Sequence, residues 1–198
     1  MSTDITLCWS PQGTAGYALD DNDVFAIGLG TLTGDASTVE DFFGKIISSK
    51  TAVISNTNLI FGKNTACTAV SSLNLTLNST TTISFWLIAR WSLTVFSLNF
   101  SGGYIDIAGD TTGYVRSCLG SQIPVAFSIG TPYFVRIILN ADNTMLVYVN
   151  GVLIGSTTFS LRTLNSISCQ TSYGFIRDLV ISKVARSGSF VPTNILGY

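Results

Sequence analysis

The fold of this chain is decided by residues 131–155, which read TPYFVRIILNADNTMLVYVNGVLIG. Two strand-like runs, residues 133–139 and 145–149, flank a loop of Asn140, Ala141, Asp142 and Asn143, residue types suited to turns. Asn150-Gly151 follows, which is the strongest short signal for a two-residue hairpin turn. The segment therefore predicts a tight antiparallel ribbon that turns back on itself twice.

The same pattern continues through most of the chain. Short stretches rich in Val, Ile, Thr, Phe and Tyr alternate with Gly, Asn, Asp and Ser, which is typical of an all-β sandwich. Strands this close together pair mainly as antiparallel hairpins and meanders. The predicted strands are 2–9, 59–61, 66–70, 81–91, 94–100, 103–108, 114–118, 133–139, 145–149, 152–156 and 174–182.

One segment predicts a helix. Ser37 and Glu40 form a capping box, and Val39, Phe42, Phe43, Ile46 and Ile47 then follow at helical spacing. We expect an amphipathic helix at residues 37–48, either closing an end of the sandwich or contacting a neighbouring subunit. The expected organisation is an N-terminal strand, loops and helix in residues 1–57, packed on a sandwich formed by residues 58–198.

The composition limits the possible partners. The 198 residues are 46% hydrophobic and only 11% charged, which suits either a membrane protein or a surface covered by partners. The most apolar stretch, residues 83–100, contains Arg90 and several Ser, Thr and Asn residues, so no membrane-spanning helix is expected. A net charge of −1 without a Lys/Arg cluster argues against nucleic acid. No export signal is visible at the start, which predicts synthesis in the cytoplasm.

Catalysis is not expected. The absence of histidine removes Ser-His-Asp and Cys-His nucleophilic arrangements and His-ligated zinc. Glycoside hydrolysis usually needs two carboxylates that flank the bond, and Glu40 is the only glutamate. Aspartate pairs could substitute in principle, but Asp20, Asp21 and Asp23 lie together in one loop with no partner strand. No cofactor is expected, although the carboxylates of Asp20, Asp21 and Asp23 are a candidate calcium site, since Ca²⁺ prefers oxygen ligands. The alternative is that these aspartates are ordinary turn residues.

Aromatic side chains are the candidate ligand-binding groups, because they stack on sugar rings. Trp86 lies among apolar residues and is assigned to the core. The candidate carbohydrate-binding residues are Trp91, Tyr104, Tyr114 and Tyr173. Alternation also places Arg136 on the same strand face as Phe134 and Ile138, which predicts a buried or interfacial ion pair.

Three blocks of sequence together carry a family resemblance. Residues 131–155, with their Tyr-Val-Asn-Gly ribbon, resemble the centre of concanavalin A-like, laminin-G-like jelly-roll domains. Residues 59–62 and 81–88 resemble the opening strands of these domains. Residues 174–186 and 190–192 resemble the closing strand and tail of versions found in bacteriophage virion proteins. The resemblance covers roughly residues 58–192 and implies an antiparallel two-sheet jelly-roll sandwich.

Two functions from different classes follow. The resemblance and the low charge favour a structural virion protein (a capsid decoration, head-fibre or tail component) that assembles with itself and with other virion proteins. The alternative is a lectin-like module or receptor-binding domain that recognises host glycans. For assembly, the predicted contact residues are Phe42, Phe43, Ile46, Phe190, Ile195, Leu196 and Tyr198.

Overall fold

The structure is a computed structural model that describes residues 21–27, 34–40, 46–54, 59–61, 68–71, 74–77, 79–89, 94–108, 113–160, 163–169, 174–189 and 191. These residues form sixteen β-strands. The strands are β1 Asp23–Ile27, β2 Gly34–Glu40, β3 Ile46–Ile54, β4 Leu59–Phe61, β5 Thr68–Ser71, β6 Leu75–Thr76, β7 Thr81–Ala89, β8 Thr94–Phe100, β9 Gly103–Ala108, β10 Tyr114–Ser117, β11 Ile123–Pro124, β12 Pro132–Leu139, β13 Thr144–Val149, β14 Val152–Thr158, β15 Thr163–Cys169 and β16 Gly174–Ser182.

The strands form two antiparallel layers. One layer has the order β11-β10-β9-β8-β15-β5, and the other has the order β4-β16-β7-β12-β13-β14. Strand β3 pairs with both β5 and β4 and so joins the two layers. The predicted antiparallel two-sheet sandwich is therefore confirmed. The predicted strand at residues 2–9 lies outside the described residues, and the domain boundary at residue 57 stays a prediction.

The core lies between the layers and follows from the two-residue period of the strands. In β8, Phe96 and Leu98 are buried in the core, and they alternate with the half-buried Ser97 and Asn99. The Phe96 ring packs against Phe85 of β7 in the opposite layer, with 4.8 Å between ring centroids. Because successive side chains of a strand point to opposite faces, one set fills the core and the other set forms the outer face of each layer.

The ribbon predicted from residues 131–155 is confirmed in detail. Leu139 pairs with Met145 across the loop of residues 140–143, and Val149 pairs with Val152 across Asn150-Gly151. Both turn residues have positive φ angles, 48° and 79°, as a type I′ turn requires. The Asn150 side chain also accepts a hydrogen bond from the backbone N–H of Phe134 at 2.8 Å, which ties the turn to β12.

The predicted helix at residues 37–48 is wrong where the structure describes it. Residues 37–40 belong to β2 and residues 46–48 to β3, which pair antiparallel, and residues 41–45 lie outside the described residues. The apolar stripe spans only two helical turns, and short helices have little stability of their own. Val, Ile and Thr residues on both sides fit strands that gain pairing partners in the sheet. No helix long enough to cross a membrane occurs in the described ranges.

The outer face of β7, β12 and β13 is covered by residues that follow β16, namely residues 183–189 and 191, which we call the C-terminal strap. The Thr82 hydroxyl donates a hydrogen bond to the carbonyl of Val184 at 2.7 Å. Arg136, only 1% exposed, donates to the Ser84 hydroxyl at 3.0 Å and to the Ser187 carbonyl. The strap therefore covers this face, and these two hydrogen bonds of Arg136 go to neutral oxygens. The predicted ion pair of Arg136 stays a prediction.

Candidate functional site

The outer face of β8, β9 and β10 differs from the strap-covered face, because its side chains remain half-exposed. In β9, Tyr104 and Asp106 alternate with the buried Ile105 and Ile107. In β10, Tyr114 and Arg116 likewise alternate with buried residues. We call Ser97, Tyr104, Asp106, Tyr114 and Arg116 the β8–β10 face.

An ion pair lies at the centre of this face. Strand register places Arg116 directly opposite Asp106, and Asp106 opposite Ser97. The Arg116 Nη2 atom lies 2.9 Å from Asp106 Oδ2, and the Ser97 hydroxyl donates to Asp106 Oδ1 at 2.7 Å. Both carboxylate oxygens of Asp106 thus accept a hydrogen bond, which fixes the orientation of the carboxylate.

Two tyrosines flank the guanidinium group. The Arg116 Cζ atom lies 5.3 Å from the centroid of the Tyr104 ring and 5.3 Å from that of the Tyr114 ring. These distances are within the range of cation–π attraction. The contacts with Asp106 and with both rings therefore favour this arrangement of the long Arg116 side chain.

The pKa of Arg116 and the exposure of both side chains show that the ion pair lies at the protein surface. The hydrogen bond to Asp106 raises the pKa of Arg116, with smaller upward contributions from Tyr114 and Tyr104 and an opposing effect of burial. The Arg116 side chain is 34% exposed and that of Asp106 is 14% exposed. Arg116 therefore keeps its positive charge at physiological pH, and the pair is partly accessible to a polar ligand.

The structure brings together two of the four predicted carbohydrate-binding residues. Tyr104 and Tyr114 both belong to the β8–β10 face, whereas Trp91 and Tyr173 lie outside the described residues. Sequence reasoning did not place Asp106 or Arg116 in this site. The two-residue spacing within each strand could have placed Asp106 on the same face as Tyr104, and Arg116 on the same face as Tyr114. The sequence did not show, however, that these two strands pair with each other.

The predicted calcium site stays a prediction. Asp21 is exposed and Asp23 begins β1, whereas Asp20 lies outside the described residues. No group of three or more potential metal-binding side chains occurs in the part of the chain that the structure describes. Of the predicted assembly residues, Ile46 begins β3. The others lie outside the described residues: Phe42, Phe43, Phe190, Ile195, Leu196 and Tyr198.

A concave region, separate from the β8–β10 face, lies where the turn after β10 meets β14. It is an open groove of about 530 Å³. Hydroxyl groups dominate its lining, and the Thr158 hydroxyl donates to the carbonyl of Leu119 at 3.2 Å across it. The lining residues are Leu119, Gly120, Ser121, Thr144, Ser156, Thr157 and Thr158. Because the lining has neither an aromatic ring nor a charged group, the groove offers less for selective binding than the β8–β10 face.

Comparison with known proteins rests on structure alone. No family model matches the chain, and no curated protein matches it by sequence. The chain is similar to the binding domain of botulinum neurotoxin DC in complex with SialylT, with a TM-score of 0.56 and 18% identity over 85% of this chain and 49% of that one.

Two further structures extend this comparison. A structure of botulinum neurotoxin type C has a TM-score of 0.56 and 20% identity over 85% of this chain and 49% of that one. Cell entry of that toxin depends on interaction with two ganglioside molecules. A Trypanosoma rangeli sialidase in complex with sialic acid has a TM-score of 0.68 and 13% identity over 88% of this chain and 33% of that one.

The chain thus spans about half the length of the neurotoxin binding domains and about a third of the sialidase. At these identities the likeness concerns the fold alone. None of the three is a virion protein, so the comparison adds nothing to the phage part of the sequence resemblance. The chain has a jelly-roll-like β-sandwich fold that it shares with proteins solved in complex with carbohydrate.

Proposed function

We propose that this chain is a non-catalytic carbohydrate-binding domain that uses the β8–β10 face. The arrangement of Tyr104, Tyr114 and Asp106 around Arg116 carries the proposal. Ligand sites combine apolar or aromatic surface with a few convergent polar groups that fix orientation, and this face provides both. Tyrosine rings offer a hydrophobic body beside a hydroxyl group, which suits a sugar's C–H faces and hydroxyls.

The geometry of the ion pair supports binding of sugars in particular. Asp106 supplies only acceptors and Arg116 only donors, in a fixed relative position. A pair of neighbouring sugar hydroxyls can donate to the carboxylate and accept from the guanidinium at the same time. Charge-assisted hydrogen bonds of this kind are stronger than those between neutral groups.

The fold neighbours favour this function over the virion assembly that the sequence put first. One neighbour was solved in complex with sialic acid, and another enters cells in dependence on two ganglioside molecules. Fold alone does not transfer a ligand, so carbohydrate binding remains a proposal for this chain. Binding rather than hydrolysis is proposed because the chain lacks histidine and has a single glutamate, and because the carboxylate of the site is already engaged by Arg116 and Ser97.

A glycan array tests the proposal. We expect the purified chain to bind a subset of carbohydrates, and the double variant Tyr104→Ala/Tyr114→Ala to lose that binding. The matched control is Tyr104→Phe/Tyr114→Phe, which keeps both rings and is expected to bind. Each variant is first shown to be folded by its circular dichroism spectrum. Absence of binding on the array, or equal binding by the alanine variant, contradicts the proposal.

Assembly into virions stays a prediction with its own test. If the domain is a virion component, mass spectrometry of purified particles detects it, and the isolated chain self-associates in sedimentation experiments. A virion protein that also binds host glycans satisfies both tests. A monodisperse monomer that binds glycans and is absent from particles leaves carbohydrate binding alone.

A further inference from the structure

The charge of the β8–β10 face bears on which carbohydrates it accepts. Its two charged residues, Asp106 and Arg116, have opposite signs and lie 2.9 Å apart. Within the described residues of β8, β9 and β10, no other charged side chain occurs. The face therefore carries no net charge, although it contains an arginine.

An acidic sugar meets an obstacle at this face. To bind the guanidinium group of Arg116 in a bidentate manner, a sugar carboxylate has to displace the Asp106 carboxylate or approach close to it. Displacement breaks a charge-assisted hydrogen bond, and close approach brings two negative charges together. A neutral sugar has no such cost, because its hydroxyls can both donate to Asp106 and accept from Arg116.

The positions of the two rings bear on ligand length. Each ring centroid lies 5.3 Å from Arg116 Cζ. Tyr114 lies two residues from Arg116 along β10, while Tyr104 lies beside Cys118, toward the other end of that strand. The rings are thus on opposite sides of the ion pair along the strand direction. A saccharide that contacts both rings has to extend over the ion pair, which a single sugar ring does not do.

We infer that the β8–β10 face binds a neutral oligosaccharide of at least two sugar units, lying along β9 and β10 with its hydroxyls over Asp106 and Arg116. This inference rests on the proposed carbohydrate-binding function and narrows it to uncharged ligands. It separates this chain from the fold neighbours that were solved with sialic acid.

The test compares matched saccharides by isothermal titration calorimetry. Lactose and 3′-sialyllactose differ by one acidic sugar, and galactose, cellotriose and maltotriose vary the length and linkage of neutral ligands. We expect at least one neutral oligosaccharide to bind at least tenfold more tightly than galactose, and 3′-sialyllactose to bind no more tightly than lactose. Tyr104→Ala and Tyr114→Ala should each weaken binding about 2- to 10-fold, as expected for loss of one aromatic contact.

Two variants address the ion pair. Asp106→Asn removes the negative charge while retaining an acceptor, so it should reduce the affinity for the neutral oligosaccharide and increase the affinity for 3′-sialyllactose. Preferential binding of 3′-sialyllactose by the unmodified protein, lost in Arg116→Gln, overturns the neutral-ligand inference and leaves the carbohydrate-binding function standing. If no saccharide binds here or on the glycan array, both fail. Binding that survives each tyrosine variant overturns the assignment to this face.

Discussion

Replacing Gly151 with alanine tests how the Asn150-Gly151 turn is held against the C-terminal strap. Gly151 has a φ of 79°, and an L-residue in this left-handed region costs roughly 1–2 kcal/mol. A Cβ atom at this position also lies 2.7 Å from the Ser189 carbonyl oxygen and 3.0 Å from Val191 Cγ2. Displacing packed neighbours in this way costs about 1–3 kcal/mol more. We therefore expect Gly151→Ala to destabilise the protein by about 2–5 kcal/mol.

Gly130→Ala is the matched control. Gly130 has nearly the same φ, 76°, but a Cβ atom there meets nothing within 4 Å. This variant should lose only the backbone contribution of roughly 1–2 kcal/mol. Urea denaturation of both variants and of the unmodified chain measures the difference from the midpoints and slopes. Equal losses for the two variants would show that the strap does not lie against the turn, and the account of the covered face would then be wrong.

Two further predictions concern the charged residues. Arg136→Leu should destabilise the fold by about 2–4 kcal/mol, because the carbonyl of Ser187 and the hydroxyl of Ser84 lose their buried donor. Arg116→Leu, at a half-exposed pair, should cost under about 1 kcal/mol, and similar losses in urea denaturation would contradict the difference in burial. The N–H of Thr144 donates to Asp142 at 2.9 Å and lowers the pKa of that carboxyl group from its usual value. The Asp142 carboxylate therefore stabilises the fold fully at pH values above the pKa that Asp142 has in the unfolded chain. This contribution is lost as the pH falls through the lower pKa that Asp142 has in the folded chain. Asp142→Asn should accordingly lower the melting temperature at neutral pH and have little effect in strong acid, whereas a pH-independent difference would refute this assignment.

The parts of the fold that could be predicted from sequence are those specified by local turn chemistry. Asn150-Gly151 and the polar loop before β13 determine the register of β12, β13 and β14 without reference to the rest of the chain. The predicted bounds of β4, β8, β9 and β16 also match the structure. In each case a run of β-branched and aromatic residues ends at turn residues, so the signal is contained within a few positions.

The parts that could not be predicted depend on distant partners. Strand β15, Thr163–Cys169, was missed because its sequence, TLNSISC, has little apolar content. It lies between β8 and β5, whose residues come much earlier in the chain, and such pairing is not encoded locally. The helix prediction at residues 37–48 failed for the same reason, because β2 and β3 form in the context of the sheet.

The candidate site was predictable to the same extent as the strands that form it. Tyr104 and Tyr114 were among the candidate sugar-stacking residues, and alternation alone puts Asp106 on the same strand face as Tyr104 and Arg116 on the same face as Tyr114. The contact between Asp106 and Arg116, however, depends on the register of β9 against β10. A shift of one residue would turn Arg116 to the core face. The site therefore depends on strand pairing, and no local sequence motif predicts it.

The burial of the second layer changes what the unusual composition implies. The low fraction of charged residues suggested a surface covered by partner subunits. Strands β7 and β12 instead bury side chains on both faces, since Trp86 and Phe134 on the outer side are 5% and 2% exposed, and the strap of the chain itself covers that layer. Exposed large apolar residues do occur among the described residues, and three of them, Val152, Leu153 and Ile154, are consecutive in β14. The composition is therefore accounted for in part by a layer buried on both sides, while the β8–β10 face, which combines two tyrosines with a charged pair, stays partly accessible.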